Sequence, residues 1–238
     1  MIIVYITCVK KQEETKIRIC FTMDDGLKSH LNFYEGTGAR ATYFILPNYT
    51  EQADPDGLFW ERLCDWHEVK KLADKGEIGF HGHSAVSYNK WTDEKTNQKM
   101  REGMELFKNR VGCVPQSFAY TDMNPGRPDL IRQYCPNIRD YFWRDGKVTN
   151  HLKPEGDYIF RMEEKQLPDN FIPYREKIFV IRPSRNIYYF MKRLKYLETQ
   201  YEYVVIILHK LDDDLLKVCS LASSFWECIT FGEIFQCE

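Results

Sequence analysis

The chain has 238 residues, 43% of them hydrophobic and 15% aromatic, with 33 basic side chains against 35 acidic ones. A net charge of −2 gives no general electrostatic grip on nucleic acid or on an anionic membrane, so neither is expected as a partner. The aromatic content excludes intrinsic disorder, no apolar run approaches the roughly 20 residues that span a bilayer, and the length suits one large core.

The opening stretch, Met1-Ile-Ile-Val-Tyr-Ile-Thr-Cys8, is apolar but short. Without a basic segment ahead of it or a small-residue cleavage site behind it, it reads as a first β-strand rather than a signal peptide. Eight cysteines (Cys8, Cys20, Cys64, Cys113, Cys135, Cys219, Cys228, Cys237) contain no C-x-x-C pair. They point to reduced, mostly buried thiols and a cytoplasmic setting. No repeat or Gly/Ser-rich linker interrupts the chain, so residues 1–238 read as a single domain.

Ile17-Arg-Ile-Cys-Phe-Thr22 is β-like and runs into Met23-Asp-Asp-Gly26. A short helix is expected around Ser29 to Gly36, then a strand at Ala41–Leu46 stopped by Pro47. Leu58, Phe59, Leu63, Trp66, Val69 and Leu72 have helical spacing, predicting a helix over 58–75 that Gly76 ends. Glu77-Ile-Gly-Phe80 is a short strand feeding His81-Gly-His-Ser84. Thr92 caps a helix to Asn109 with Met100, Met104, Leu106 and Phe107 inside. Pro115 to Tyr120 is a strand, 144–174 is broken by prolines, and Asn186 to Gln200 is helical. Tyr203–Leu208 reads as a fully buried strand with His209 at its end, followed by a helix from Leu215 and a strand at Glu227–Phe231. Apolar runs alternating with amphipathic stretches predict an α/β fold with a parallel sheet.

Asp24-Asp25, His81–Ser84 and His209 each directly follow a predicted strand. In parallel α/β folds the carboxyl ends of strands share one face, and sites are built there. Two adjacent carboxylates and several imidazoles on one rim suit a divalent-metal site for hydrolysis. Each also has a plainer reading: Asp-Asp-Gly is a common turn, and a strand-end histidine often only hydrogen-bonds its neighbours.

Phe21-Thr-Met-Asp-Asp-Gly26 followed by Gly38-Ala-Arg-Ala-Thr-Tyr-Phe-Ile45 resembles the T-F-D-D-G and G-x-x-A-T-F-F opening of the polysaccharide deacetylase family (NodB homology, carbohydrate esterase family four). Gly76-Glu-Ile-Gly-Phe-His81 is similar to its G-x-E-I-G-x-H motif, Gly112–Tyr120 to the G-x-x-P-x-x-F-A-Y-P-Y-G form of its third, and Val205–His209 to its terminal strand and histidine. The resemblance implies a distorted (β/α) barrel of the NodB type. It implies a metal-dependent hydrolase that removes N-acetyl groups from an amino-sugar-containing glycan, with a divalent metal, zinc first and cobalt, manganese or nickel as alternatives.

Carried over, Asp24 is the general base, His209 the general acid, and Asp25 and His81 metal ligands. Ala85 stands where the second metal histidine falls, which makes His83 its substitute. His83 shares a face with His81 if the loop is extended and not if it is a helical turn. Tyr120 and Asp122 fall at the substrate-binding third motif, where Thr121-Asp122-Met123 replaces Pro-Tyr-Gly and Asp122 is the backbone N–H donor to an oxyanion. The alternatives are a catalytically impaired carbohydrate-binding member, with Trp60, Trp66, Trp91 and Trp143 stacking on sugars, and a hydrolase of a different small amide.

Overall fold

Arg18–Met23 forms β1, and every residue after the first is buried. A strand apolar on both faces needs cover on both, which is the condition of a parallel sheet inside an α/β protein. The computed structural model describes residues 17–54, 57–59, 61–84, 88–121, 127–139 and 178–236. The expected first strand at Met1–Cys8 and the irregular 144–174 stretch lie outside these.

The other strands are β2 (Thr42–Ile45), β3 (Glu77–Phe80), β4 (Ser117–Ala119), β5 (Asn137–Arg139), β6 (Ile178–Ile181), β7 (Tyr203–Leu208) and β8 (Glu227–Ile229). They pair in the order β5-β4-β3-β2-β1-β7-β6, all parallel. β7 runs along the whole of β1, while the opposite edge of β1 is divided: β8 pairs with Arg18–Cys20 and β2 with Thr22–Met23. This curled sheet, with helices outside, is the distorted (β/α) barrel that the motifs imply.

Residue parity separates two apolar clusters, because successive side chains on a strand point to opposite faces. Ile19, Phe21, Met23, Tyr43, Ile45, Ile78, Phe80, Phe118, Val204, Ile206 and Leu208 lie in one cluster with Val69, Leu72, Met100, Phe107, Phe190, Leu194 and Val218 from the helices. Cys20, Phe44, Ala119, Val205, Ile207 and Ile229 form the inner cluster with Phe231 and Ile234. Gly79 belongs to the inner parity, and a Cβ there would stand 2.5 Å from the Phe44 ring. Glycine at that position lets the ring lie across the sheet.

The helices that follow the strands are α1 (Phe33–Thr37), α2 (Pro47–Gln52), α3 (Trp66–Ala73), α4 (Asp93–Arg110), α5 (Pro128–Arg132), α6 (Ile187–Leu197), α7 (Asp213–Phe225) and α8 (Phe231–Ile234). The expected 58–75 helix is shorter than its apolar spacing. It starts at Trp66 because Asp65 and Glu68 close a capping box, and upstream Leu63 instead bridges to Leu27. Pro47 does more than stop β2: it opens α2, where a missing N–H costs nothing. Thr92 caps α4 as its sequence predicts, its hydroxyl accepting from Lys95 N.

At the amino-terminal end of the sheet, Glu77 joins three strands to α8. Its carboxylate accepts from Thr42 Oγ1 (2.8 Å), Ser117 Oγ (2.5 Å) and Gly232 N (2.8 Å). Hydrogen bonds to a charged acceptor contribute more than neutral ones. Glu77→Ala is expected to lower stability by about 3 kcal/mol, read as a reduced urea midpoint at an unchanged slope.

Candidate active site

Asp24, His81, Arg139 and His209 sit at or just past the carboxyl ends of β1, β3, β5 and β7 respectively, all on the inner parity. They continue the inner face upward, which is why four segments distant in sequence meet. Asp24 N donates to Leu208 O (2.8 Å) and His81 N to Ile45 O (2.9 Å), extending the ladders by one bond each.

The Asp24 carboxylate is at the centre. Arg139 Nη2 donates to Oδ1 at 2.7 Å and to Oδ2 at 2.6 Å, and Arg139 Nη1 donates to Thr22 Oγ1 at 2.6 Å. The guanidinium carbon stands 4.6 Å over the Phe44 ring, so the stack reads Arg139, Phe44, Gly79 from the site down. Burial works to raise the Asp24 carboxyl, but Arg139, with His81 and His209 assisting, outweighs it and holds the group below the usual carboxylate range. Arg139 is therefore a functional residue that the motifs did not single out.

His81 Nε2 lies 3.4 Å from Asp25 Oδ1 and 3.9 Å from Asp24 Oδ2. Its Nδ1 is 2.9 Å from Ala119 O, a carbonyl that can only accept, so the proton sits on Nδ1 when the ring is neutral and Nε2 faces the carboxylates. Burial acts to lower this imidazole, yet Asp24 and Asp25 prevail and raise it above the ordinary histidine range. Asp25 reaches His81 from a backbone with φ of 75°, the left-handed region that aspartate tolerates better than most residues. His209 Nε2 is 3.8 Å from Asp24 Oδ2. Side-chain exposure rises from 2% at Asp24 and 3% at His81 to 15% at Asp25 and 35% at His209, so solvent meets the cluster from the His209 side.

His83 and Tyr120 are placed differently from the sequence reading. Gly82, with φ of 83°, turns the chain between the two histidines, a conformation that glycine adopts at no steric cost. His83 Nε2 ends 3.3 Å from Glu102 Oε2 on α4 instead of beside Asp25. Burial, with Lys99 adding to it, pushes the His83 imidazole down to about 4. Tyr120 has the helix-facing parity of Phe118, and its buried ring meets Phe118 and Tyr88 edge-on, with no open face for a substrate. Asp122 and Ala85 lie outside the described residues, as do Trp60 and Trp143. Trp66 packs on Phe107 and Trp91 on Tyr88, which favours structural roles over sugar stacking.

The metal that the resemblance implies needs a matching donor set. Asp25 and His81 are a matched pair, with the His81 Nδ1 contact to a carbonyl that typically orients a ligating imidazole. The third donor of that set is missing among the described residues: His83 is engaged by Glu102, and no three acidic, His or Cys side chains there converge to hold an ion. The described residues therefore do not fit the full three-donor set.

Residues 11–125 match the model of the polysaccharide deacetylase family. Among solved structures, the fold is similar to the peptidoglycan N-acetylglucosamine deacetylase Bc1960 (13% identity, TM-score 0.56, covering 94% of this chain and 89% of that one). It is similar to the peptidoglycan deacetylase PdaC from Bacillus subtilis (12%, TM-score 0.55, 94% and 92%). A third similar structure is a family 4 acetyl xylan esterase from Clostridium thermocellum in complex with a cobalt ion (13%, TM-score 0.52, 92% and 90%). No curated protein sequence matches the chain significantly. The family resemblance drawn from the motifs is borne out, and at these identities the solved structures establish its fold.

Two expectations follow from the site. Arg139→Met leaves a buried carboxylate without its counter-charge, at a cost of about 3–5 kcal/mol near neutral pH. The Asp24 carboxyl is depressed in the folded protein, so its contribution is present above the unfolded carboxylate range and is lost as pH falls through the lower folded value. Urea denaturation should thus show the variant's penalty shrinking toward about pH 4, where the orphaned carboxyl takes up a proton. Titration calorimetry with zinc should show weaker binding in His81→Ala and unchanged binding in His83→Ala; a loss in the latter would mean that His83 ligates after all.

Proposed function

We propose that this chain, which carries the fold and opening motifs of the polysaccharide deacetylase family, is a hydrolase that removes acetyl groups from N-acetylated amino sugars in a glycan. The observation that carries the reading is the Asp24 carboxylate, buried, kept ionised by Arg139, and flanked by His81 and His209 at 3.9 and 3.8 Å. Two of the similar structures are named as deacetylases of acetylated peptidoglycan sugars or peptidoglycan, and a third as an acetyl xylan esterase, which supports an acetylated sugar as the substrate class.

The proposed steps use this chain's own residues. Arg139 takes one acceptor direction on each Asp24 oxygen, leaving the others for a water molecule on the His81–His209 side. A carboxylate held this low is a weak base, so Asp24 contributes chiefly by orienting the attacking water and receiving its proton as the bond to carbon forms. His209, the most exposed of the four, faces the incoming sugar and in its charged form donates the proton that the leaving nitrogen needs. His81, which Asp24 and Asp25 favour in its doubly protonated form, makes the polar corner opposite, where its Nε2–H is the donor on the side on which the acyl oxygen gains charge. Trp66 and Trp91 pack their rings against Phe107 and Tyr88, which leaves the alternative of a binding protein without chemistry less support from these two tryptophans.

Acetate release from N-acetylglucosamine oligomers, measured with and without added zinc, cobalt, manganese or nickel, tests the proposal. Asp24→Asn keeps the shape of the side chain while removing the base, and turnover should fall by about a hundredfold or more. Unaltered turnover in that variant would contradict the assignment of Asp24. Glycan binding with no acetate release under any of these metals would replace the hydrolase with a lectin-like protein.

A further inference from the structure

His30 is a fully buried histidine with no part in the scheme above, and no motif drew attention to it. Its Nε2 lies 2.5 Å from the carbonyl oxygen of His209, a residue 179 positions away in the chain. Two other bonds tie the same pair of loops: Asp24 N donates to Leu208 O (2.8 Å) and Leu211 N to Ser29 Oγ (3.3 Å). The turn after β1 therefore grips the end of β7 at residues 208, 209 and 211. His209 needs such a grip, because its ring has no hydrogen bond to any described side chain or backbone group and stands 3.8 Å from Asp24 Oδ2, beyond hydrogen-bond reach. Among the described residues, hydrogen bonds hold this ring only through the backbone that carries it.

We propose that His30 is a positioning residue for His209, donating its Nε2–H to the His209 carbonyl and so fixing the peptide from which that ring projects. The inference rests on the reading of His209 as the proton donor. A carbonyl oxygen cannot donate, so Nε2 of His30 must carry the hydrogen, and burial keeps the ring neutral. Nδ1 is then an acceptor, and it is buried with no hydrogen-bond partner among the described residues. An apolar side chain would fill the same space without that orphaned nitrogen; what the imidazole adds is the donor.

Long-range nitrogen–proton NMR of the histidine rings reads this directly. In the wild-type protein His30 should be the Nε2–H tautomer, and an Nδ1–H tautomer would overturn the proposal without any variant having to fold. His30→Phe keeps a ring of similar size and removes the donor, whereas His30→Gln restores an N–H at about the same reach. The His209 ring resonances, identified by their loss in His209→Gln, should move in His30→Phe and return in His30→Gln. In parallel, kcat for acetate release should fall about ten- to a hundredfold in His30→Phe with little change in KM, and recover in His30→Gln. Unmoved His209 resonances in a folded His30→Phe protein would refute the role. Wild-type protein that releases no acetate refutes the hydrolase reading alone, since the ring resonances are read without turnover.

Discussion

A carboxylate and a guanidinium, both almost wholly buried, face each other at the top of the barrel's inner face, and much of the site is arranged around that pair. Removing either charge from water is costly, so the pair survives only with near-complete hydrogen bonding. Asp24 and Arg139 meet much of that demand with two bonds to each other, a third from Arg139 to Thr22, and the Phe44 ring beneath the guanidinium. The pair in turn decides what the neighbours can do. It keeps Asp24 anionic in a place where burial alone would neutralise it, and that anion draws His81 and His209 toward it.

Much of the fold was legible because its signals are local. Arg18–Met23, Glu77–Phe80 and Tyr203–Leu208 are short apolar runs that could only be buried strands, and Thr92 caps α4 by its own hydroxyl. Parity then carries the side chains past the strand ends. Counting by twos from Cys20 through Thr22 reaches Asp24, from Glu77 through Gly79 reaches His81, and from Val205 through Ile207 reaches His209, all toward the interior. The same count sends Tyr120 with Phe118 to the helix-facing cluster, a placement that alternation alone makes legible in the sequence.

Other features had no local signal. β5 is Asn137-Ile-Arg139, three residues with one apolar side chain, too short to show a period. Without that strand nothing marks Arg139 as an interior residue, and a buried arginine is recognisable only once its partner is seen. His30 is similar, since its partner is a backbone carbonyl with no side-chain signature. His83 turned on the φ of Gly82, and both the extended and the turned loop were open to a His-Gly-His sequence. The apolar spacing over 58–75 was real, but Asp65 and Glu68 set where the helix could begin.

The most direct measurement of the central claim is the carboxyl carbon shift of Asp24 as a function of pH, in protein labelled at aspartate. The account predicts a carboxyl that titrates below the ordinary aspartate midpoint of about 3.9, with the titration moving upward when Arg139 is replaced by methionine. An Asp24 that titrates at or above the ordinary midpoint in the wild-type protein would mean that burial outweighs the guanidinium, and the account would be wrong at its root.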